Sequence, residues 1–357
     1  MKTPDLLRLR LRNQGLTDPR ARTPQQVVSS LVAMQAQEFA MAKWAIALRM
    51  KTPAGDTDIG RAFDAGKILR THAMRPTWHF VAPADIRWLL ALTGPRVHAA
   101  CGYLYRRFAL TGAVLRRSET IIARALEHGE FLTRAALQIA LAKSGVKASG
   151  TRLAGIVMHA EQEGLICSGP REGRQFTYAL LDTRAPDARV LSREAALAEL
   201  TRRYFTTRGP ATAHDFACWS GLTLADSRAG IESLGSGFER ETSDGKLWIF
   251  RPARSAPRRA DGSALLLPDY DEYGMSYKDR RELLSSAPVS RSRRIVLAYN
   301  RMIVVDGKIV GSWRRSIVGG AVRIETDYVV PMNDEQVEAV TRAARRFTAF
   351  MEPAIGK

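Results

Sequence analysis

Cysteine is scarce in this chain, and the little there is excludes two classes of protein. Cys101, Cys167 and Cys218 are odd in number, far apart and form no Cys-x-x-Cys pair. Neither a disulfide framework nor a zinc site is indicated, and each is expected to be a small core residue in a reducing compartment. Long apolar runs are also missing, and none approaches the ~20 residues of a membrane-spanning helix. The start, Met1-Lys2-Thr3-Pro4-Asp5, leads into charged sequence rather than an apolar signal core, which points to a cytoplasmic protein away from membranes. Acid is under-represented: 36 Asp and Glu face 54 Lys and Arg, a formal charge of +18. That balance favours a polyanionic partner, most often nucleic acid, although a merely solvated basic surface gives the same count.

Several chemistry-bearing motifs are absent as well. There is no Walker lysine motif, no G-x-G-x-x-G, no G-x-S-x-G, no H-E-x-x-H and no deaminase H-x-E with P-C-x-x-C. The six histidines (72, 79, 98, 128, 159 and 214) show no metal-ligand spacing, so neither a metal nor a cofactor is expected.

What is present is a repeated pattern. At 357 residues, 45% hydrophobic and 25% charged, the chain reads as folded and soluble, with roughly two to four packed units. Within Ser118–Leu181, residues 119–128 form a first helix, Thr133 caps a second over Arg134–Lys143, and Thr151–Glu163 makes a third that ends at Gly164. Short strands at Leu165–Cys167 and Gln175–Leu181 follow. Three helices and a hairpin is the order of a winged helix-turn-helix. The order recurs over Ser192–Phe250: helices at Arg193–Phe205, Thr212–Trp219 and Thr223–Leu234, then strands joined by Ser243-Asp244-Gly245, a strong hairpin turn. A looser copy opens the chain, with a basic helix at Pro4–Gln14 and a capping box at Thr23-Pro24-Gln25-Gln26. Its third helix is Ile59–Gly66, and its wing, Ile68–Met74 with Thr77–Ala82, turns at Arg75-Pro76.

From about Ser255 the runs become β-rich: Ala264–Leu267, Ile295–Leu297, Met302–Val305, Lys308–Trp313 and Val322–Val330, closed by a helix over Asn333–Phe350. The expected fold is therefore α+β, three tandem winged helix-turn-helix units followed by a small β-barrel-like C-terminal domain with a terminal helix. The segments are 1–117, 118–191, 192–254 and 255–357. Between Val289 and Ser316 stand seven basic residues, Arg291, Arg293, Arg294, Arg301, Lys308, Arg314 and Arg315, against the single acid Asp306. That concentration marks a candidate phosphate-contacting face, with a charge-protected hairpin edge as the competing reading.

The segment Met34-Gln35-Ala36-Gln37-Glu38-Phe39 is unusual in following an apolar helix stripe with two closely spaced amides. On a continued helix Gln35 and Gln37 point about 200° apart; on an extended segment they share a face. Two amides converging on one spot can hold a water through both its lone pairs and its hydrogens.

The runs "LVAMQAQEF", "RPTWHFVAPADIRWLL", "ELTRRYFTTRGPATAHDFACWSGL", "LLPDYDEYGMSYKDR" and "VDGKIVGSWRR" together resemble the AlkZ/YcaQ-like family of winged-helix DNA glycosylases. The likeness covers nearly the whole chain in order. It implies a monofunctional glycosylase acting on double-stranded DNA that contains alkylated bases, with the family's Gln-x-Gln catalytic pair falling on Gln35 and Gln37. The Gln-x-Gln branch is associated with resistance to DNA-alkylating natural products. Arg75, Thr77, Trp78 and His79 of the wing, with Arg291, Arg293, Arg314 and Arg315, become the expected DNA-contacting set. The wing departs from the family's usual Arg-Gly-Thr, with Pro76 in the glycine's place. Asp271, Glu272, Tyr277 and Arg280, from a distinctive block, are secondary candidates that a salt-bridged structural corner explains equally well. A monomer is expected. The rival reading is a winged-helix transcription regulator without catalytic activity, since the fold alone says nothing about chemistry.

Overall fold

Capping side chains set many of the helix starts. Thr23 accepts from the Gln26 amide while Gln26 Oε1 accepts from the Thr23 amide, a full capping box. Thr133 caps Arg134–Lys143, and Thr223 forms a second capping box with Asp226. Each such cap contributes about 1 kcal/mol. The structure, a computed structural model, describes residues 3–252, 263–285, 290 and 299–355, with side chains through 352. The expected strand at Ile295–Leu297 and the basic residues Arg291, Arg293 and Arg294 lie outside the described residues.

The chain divides into two compact units. A composite unit gathers 1–60, 201–219 and 223–357, and a mid-chain unit holds 61–200 and 220–222. These boundaries follow packing, whereas the expected ones at 117, 191 and 254 follow the pattern of the sequence. The long helix Arg193–Arg208 contributes to both.

In the mid-chain unit, helices Gly112–Ala125, Arg134–Lys143 and Gly150–Gln162 precede strands Ile166–Ser168 and Thr177–Leu180. Leu132–Thr133 pairs on the other side of Thr177–Leu180. The three-helix-and-hairpin order expected for 118–181 is therefore present. Its first helix starts at Gly112 rather than Glu119 because Thr111 caps it. Leu115, Ile122, Leu137, Leu141, Leu153, Ile156 and Ile166 share one core, each burial contributing about 1.5–3 kcal/mol. The same unit carries the antiparallel hairpin Leu69–Ala73 and Arg75–Val81. It turns at Met74, whose φ is 60°, not at Arg75-Pro76 as expected. Pro76 instead stands within the second strand, exposed. Helices Pro83–Ala100 and Gly102–Arg107 follow the hairpin.

The composite unit begins with helices Thr3–Asn13, Pro24–Leu31 and Phe39–Leu48. The last buries every residue from Met41 to Leu48 and so presents no polar stripe. Helices Ala213–Ser220 and Leu224–Glu232 lead to the hairpin Glu239–Ser243 and Lys246–Phe250, turning at Asp244-Gly245 with both φ positive. The C-terminal strands Ala264–Leu266, Met302–Val305, Lys308–Val318 and Ala321–Tyr328 form one antiparallel sheet in sequence order. It is a curled half-barrel rather than a closed barrel, its first and last strands being edges among the described residues. Helix Asp334–Ile355 covers it through aromatic contacts: Phe347 sits 5.2 Å from Trp44 and 4.8 Å from Trp313. The two indoles donate to the carbonyls of Leu266 and Leu267.

No described helix is long and apolar enough to cross a membrane. Cys101 and Cys167 are buried as expected, and burial pushes the Cys167 thiol up to about 12. Cys218 is a correction: it is exposed, because it falls on the outer side of a helix whose inner side is taken by Phe216 and Trp219.

Candidate functional site: the Gln35–Gln37 segment

The helix Pro24–Leu31 stops at Val32, which takes φ 67° and ψ −57°. A β-branched residue in that region costs roughly 1–3 kcal/mol and persists only where its surroundings impose it. Beyond it Ala33–Gln35 is extended, and Gln37 lies in the bend that leads into helix Phe39–Leu48. Gln35 is 7% exposed and Gln37 is exposed. The pair therefore runs from the protein interior to its surface.

A buried ion pair pins this segment. Arg208, fully buried, uses all five of its N–H groups: Nη1 on the Leu31 carbonyl and Thr207 Oγ1, Nη2 on the Ala33 carbonyl and Glu272 Oε2, and Nε on Ser276 Oγ. The salt bridge to Glu272 is 2.7 Å long. Oε2 of Glu272 also accepts from the Trp219 indole at 2.9 Å, while Oε1 accepts from the Gln35 backbone N–H at 2.9 Å. The Arg208 guanidinium lies 4.1 Å over the Trp219 ring. Backbone on both sides of the Val32 kink is thus held by charge-assisted bonds, which are shorter and stronger than neutral ones.

The rest of the 271–280 block braces that pair from below. Asp271 accepts a two-pronged contact from Arg49 at 2.9 and 2.8 Å and caps Glu272–Met275 through the Tyr273 amide. Arg49 in turn donates to Gln14, whose amide donates to Tyr277 Oη, and that hydroxyl donates to the Arg208 carbonyl. Burial pushes the Tyr277 phenol up to about 12, and Arg10 stacks 3.5 Å over its ring. Arg280 donates to the Gly274 carbonyl at 2.6 Å and lies over Tyr299. Asp271, Glu272 and Tyr277 are all buried, so the block is an internal support for the glutamine segment.

On the wing, His79 is fully buried and its Nδ1 contacts the Thr77 carbonyl at 2.9 Å. Arg75, Thr77 and Trp78 are half-buried. Trp78 is sandwiched by side chains of its own unit, with His72 4.4 Å from its ring and the Arg70 guanidinium 4.2 Å away. Of the basic C-terminal residues, Arg314 is exposed, opposite Glu325 in register. Arg315 turns inward, half-buried, with Nη1 3.5 Å from Met351 Sδ. Beyond them the long hairpin continues to an exposed tip, Ile317 and Val318 followed by Gly319 and Gly320 at positive φ.

This arrangement coincides with a known family. The sequence model of the family described as DNA glycosylase AlkZ-like matches residues 28–350. The chain belongs to that family. Among curated proteins it is 24% identical, over 85% of each chain, to the interstrand DNA cross-link repair glycosylase of Streptomyces sahachiroi. Among solved structures it superposes on the Streptomyces sahachiroi DNA glycosylase AlkZ with a TM-score of 0.80 and 21% identity, covering 98% of this chain and 96% of that one. The shared α+β fold, with its curled C-terminal sheet and terminal helix, follows from that superposition.

For an AlkZ-like chain, two supporting residues had escaped the sequence reading. Arg208 and Trp219 lie inside the quoted run "ELTRRYFTTRGPATAHDFACWSGL" but carried no assigned role. The available signal was an arginine directly before Gly209-Pro210. His98 and His159, whose spacing in sequence showed no metal-ligand pattern, stand together with Glu163, their ligand atoms within 4.8 Å of one another.

Proposed function

We propose that this AlkZ-like glycosylase is monofunctional. Its substrates are N7-alkylguanine and N3-alkyladenine in double-stranded DNA, bulky and cross-linked adducts included, in repair of or self-resistance to a DNA-alkylating natural product. The observation that carries the reading is the Gln35–Gln37 segment, whose entry strand is anchored at Gln35 by the buried Arg208–Glu272 pair. An alkylated base is cationic and leaves with the glycosidic electron pair, so the enzyme needs oriented dipoles and one placed water more than a strong acid. The glutamine carbonyls stabilise positive charge at C1′ and orient the water that attacks it, and the water's proton is released to solvent. Lys43, the one lysine near the motif, is buried with its amine nitrogen 2.6 Å from Asp56, tied up in an ion pair rather than presented as a nucleophile. Hydrolysis to an abasic site follows.

The three repeats at 1–117, 118–191 and 192–254 serve in this reading as DNA-docking modules, acting from a cytoplasmic monomer. Arg75, Thr77 and Trp78 are the wing contacts, with His79 placed behind them. The hairpin Lys308–Val318 with Ala321–Tyr328 probes the groove while the base stays stacked. Water delivered to C1′ from the minor-groove side does not sense adduct size in the major groove. Single-turnover release at one sequence is therefore expected to be comparable, within about tenfold, for N7-methylguanine and a bulky N7 adduct. A steep fall with adduct size points to base flipping into a pocket, and binding without any base release points to a regulator.

DNA affinity should fall steeply with salt, each phosphate contact contributing about −0.9 to the log–log slope. Arg314→Ala should reduce the slope by about one such contact. Arg315→Ala should change it less, since that guanidinium is turned toward Met351. Equal slopes for wild type and Arg314→Ala remove this hairpin from the DNA face.

A further inference from the structure

The last turn of helix Pro83–Ala100 and the end of helix Gly150–Gln162 bring two histidines face to face in the mid-chain unit. The His98 and His159 rings are 4.7 Å apart. Glu163 follows His159 by four residues, so both project from one side of that helix. We propose that His98, His159 and Glu163 form a divalent transition-metal site of the zinc class that ties the two helices together.

Three observations carry this. First, one ligand atom from each residue lies within 4.8 Å of the others. Donors on a zinc ion at ~2.0–2.2 Å stand about 3.4 Å apart, so side-chain rotations of about an ångström complete the cage. Second, each imidazole is already oriented by an outer partner. Nδ1 of His98 is 2.9 Å from the Tyr105 hydroxyl, and Nδ1 of His159 is 2.7 Å from Glu119 Oε1. Metal-bound histidines show this pattern, donating one ring N–H to a carboxylate or another oxygen and turning the other nitrogen to the ion. Third, Nε2 of His98 is sealed from solvent and satisfied by no hydrogen bond, although Glu163 Oε1 lies 2.8 Å away. The carboxylate sits beside the nitrogen but off its bonding direction, and the two need part by only about 0.6 Å to take an ion between them.

Charge and donor type agree. With neutral imidazoles, the carboxylates of Glu119 and Glu163 leave two negative charges that a dication balances. A donor set of two imidazole nitrogens and one carboxylate suits zinc, cobalt or nickel rather than calcium or magnesium. Glu163 is half exposed, which leaves a fourth position for water. The inference is independent of the reaction proposed above.

Metal-stripped full-length protein is titrated with zinc sulfate by equilibrium dialysis, and with cobalt(II) chloride by visible absorption. One equivalent per chain is expected, with the cobalt d–d bands of a four-coordinate site. His98→Ala and His159→Gln should each lose the bands and weaken zinc binding at least ~100-fold, and Glu119→Gln should weaken it on the order of 10- to 100-fold. His214→Ala, an exposed histidine outside the cluster, should bind as wild type. Circular dichroism establishes that each variant is folded. No stoichiometric zinc binding by the wild type overturns the proposal. Undiminished binding by the folded His98→Ala and His159→Gln variants overturns it equally.

Discussion

Gln37→Ala is expected to slow single-turnover base release from 7-alkylguanine DNA on the order of 10²-fold, the typical loss on removing one oriented dipole from a site of developing charge. Because Gln37 is exposed, the same change should alter stability by less than about 0.5 kcal/mol. Rate loss without stability loss separates chemistry from folding. Gln35→Ala should lose rate to a similar extent but also cost about 1–3 kcal/mol of stability, since a buried side chain is removed and its polar surroundings lose a partner. If the two amides hold one water, the double variant should be little slower than either single one, because residues acting as a unit are not additive. DNA affinity should stay within a few-fold of wild type in all three. Wild-type rates in both single variants would show that the catalytic pair lies elsewhere, and multiplicative losses would show that the glutamines act separately.

How much of this was legible beforehand depended on whether local rules governed the residues concerned. Thr133, Thr223 and the Thr23–Gln26 box were readable because a cap is a contact between neighbours in sequence. The turn at Asp244-Gly245 was readable for the same reason, and both residues have positive φ. Legibility failed where tertiary packing overrode local preference. Helix Phe39–Leu48 is apolar all round apart from Lys43, so no periodicity distinguishes it. The wing was expected to turn at Arg75-Pro76, yet Met74 takes the positive φ and Pro76 continues a strand. The conformation of Gln35 and Gln37 could not be chosen from sequence, because the kink at Val32 is imposed by Arg208, which is distant along the chain. Local spacing likewise hid His98 from His159 and Glu163, which two separate helices bring together. The role of Glu272 was hidden too: a buried carboxylate reads the same in sequence whether it catalyses or holds backbone.

That carboxylate gives the largest expected loss of stability. Glu272→Ala leaves the Arg208 guanidinium buried, without its counter-charge, and removes the acceptors for the Trp219 indole and the Gln35 N–H. Breaking a buried pair from one side typically costs about 3–5 kcal/mol, which urea unfolding will read as a lowered midpoint at similar slope. Glu272→Gln should fare little better. One end of its amide accepts, but the other turns N–H donors toward either Arg208 and Trp219 or Gln35. Stability loss alone does not distinguish a fold-holding residue from one that positions Gln35, and the double variant Arg208→Met with Glu272→Met does. Replacing both partners by apolar side chains of similar volume removes the stranded charge, so much of the lost stability should return. The carbonyls of Leu31 and Ala33 and the Gln35 N–H nevertheless lose their anchors, and base release should remain at least ~10-fold below wild type while DNA affinity is retained. Recovery of stability together with a wild-type rate would mean that the pair only fills the core and that the glutamine segment holds its conformation without it.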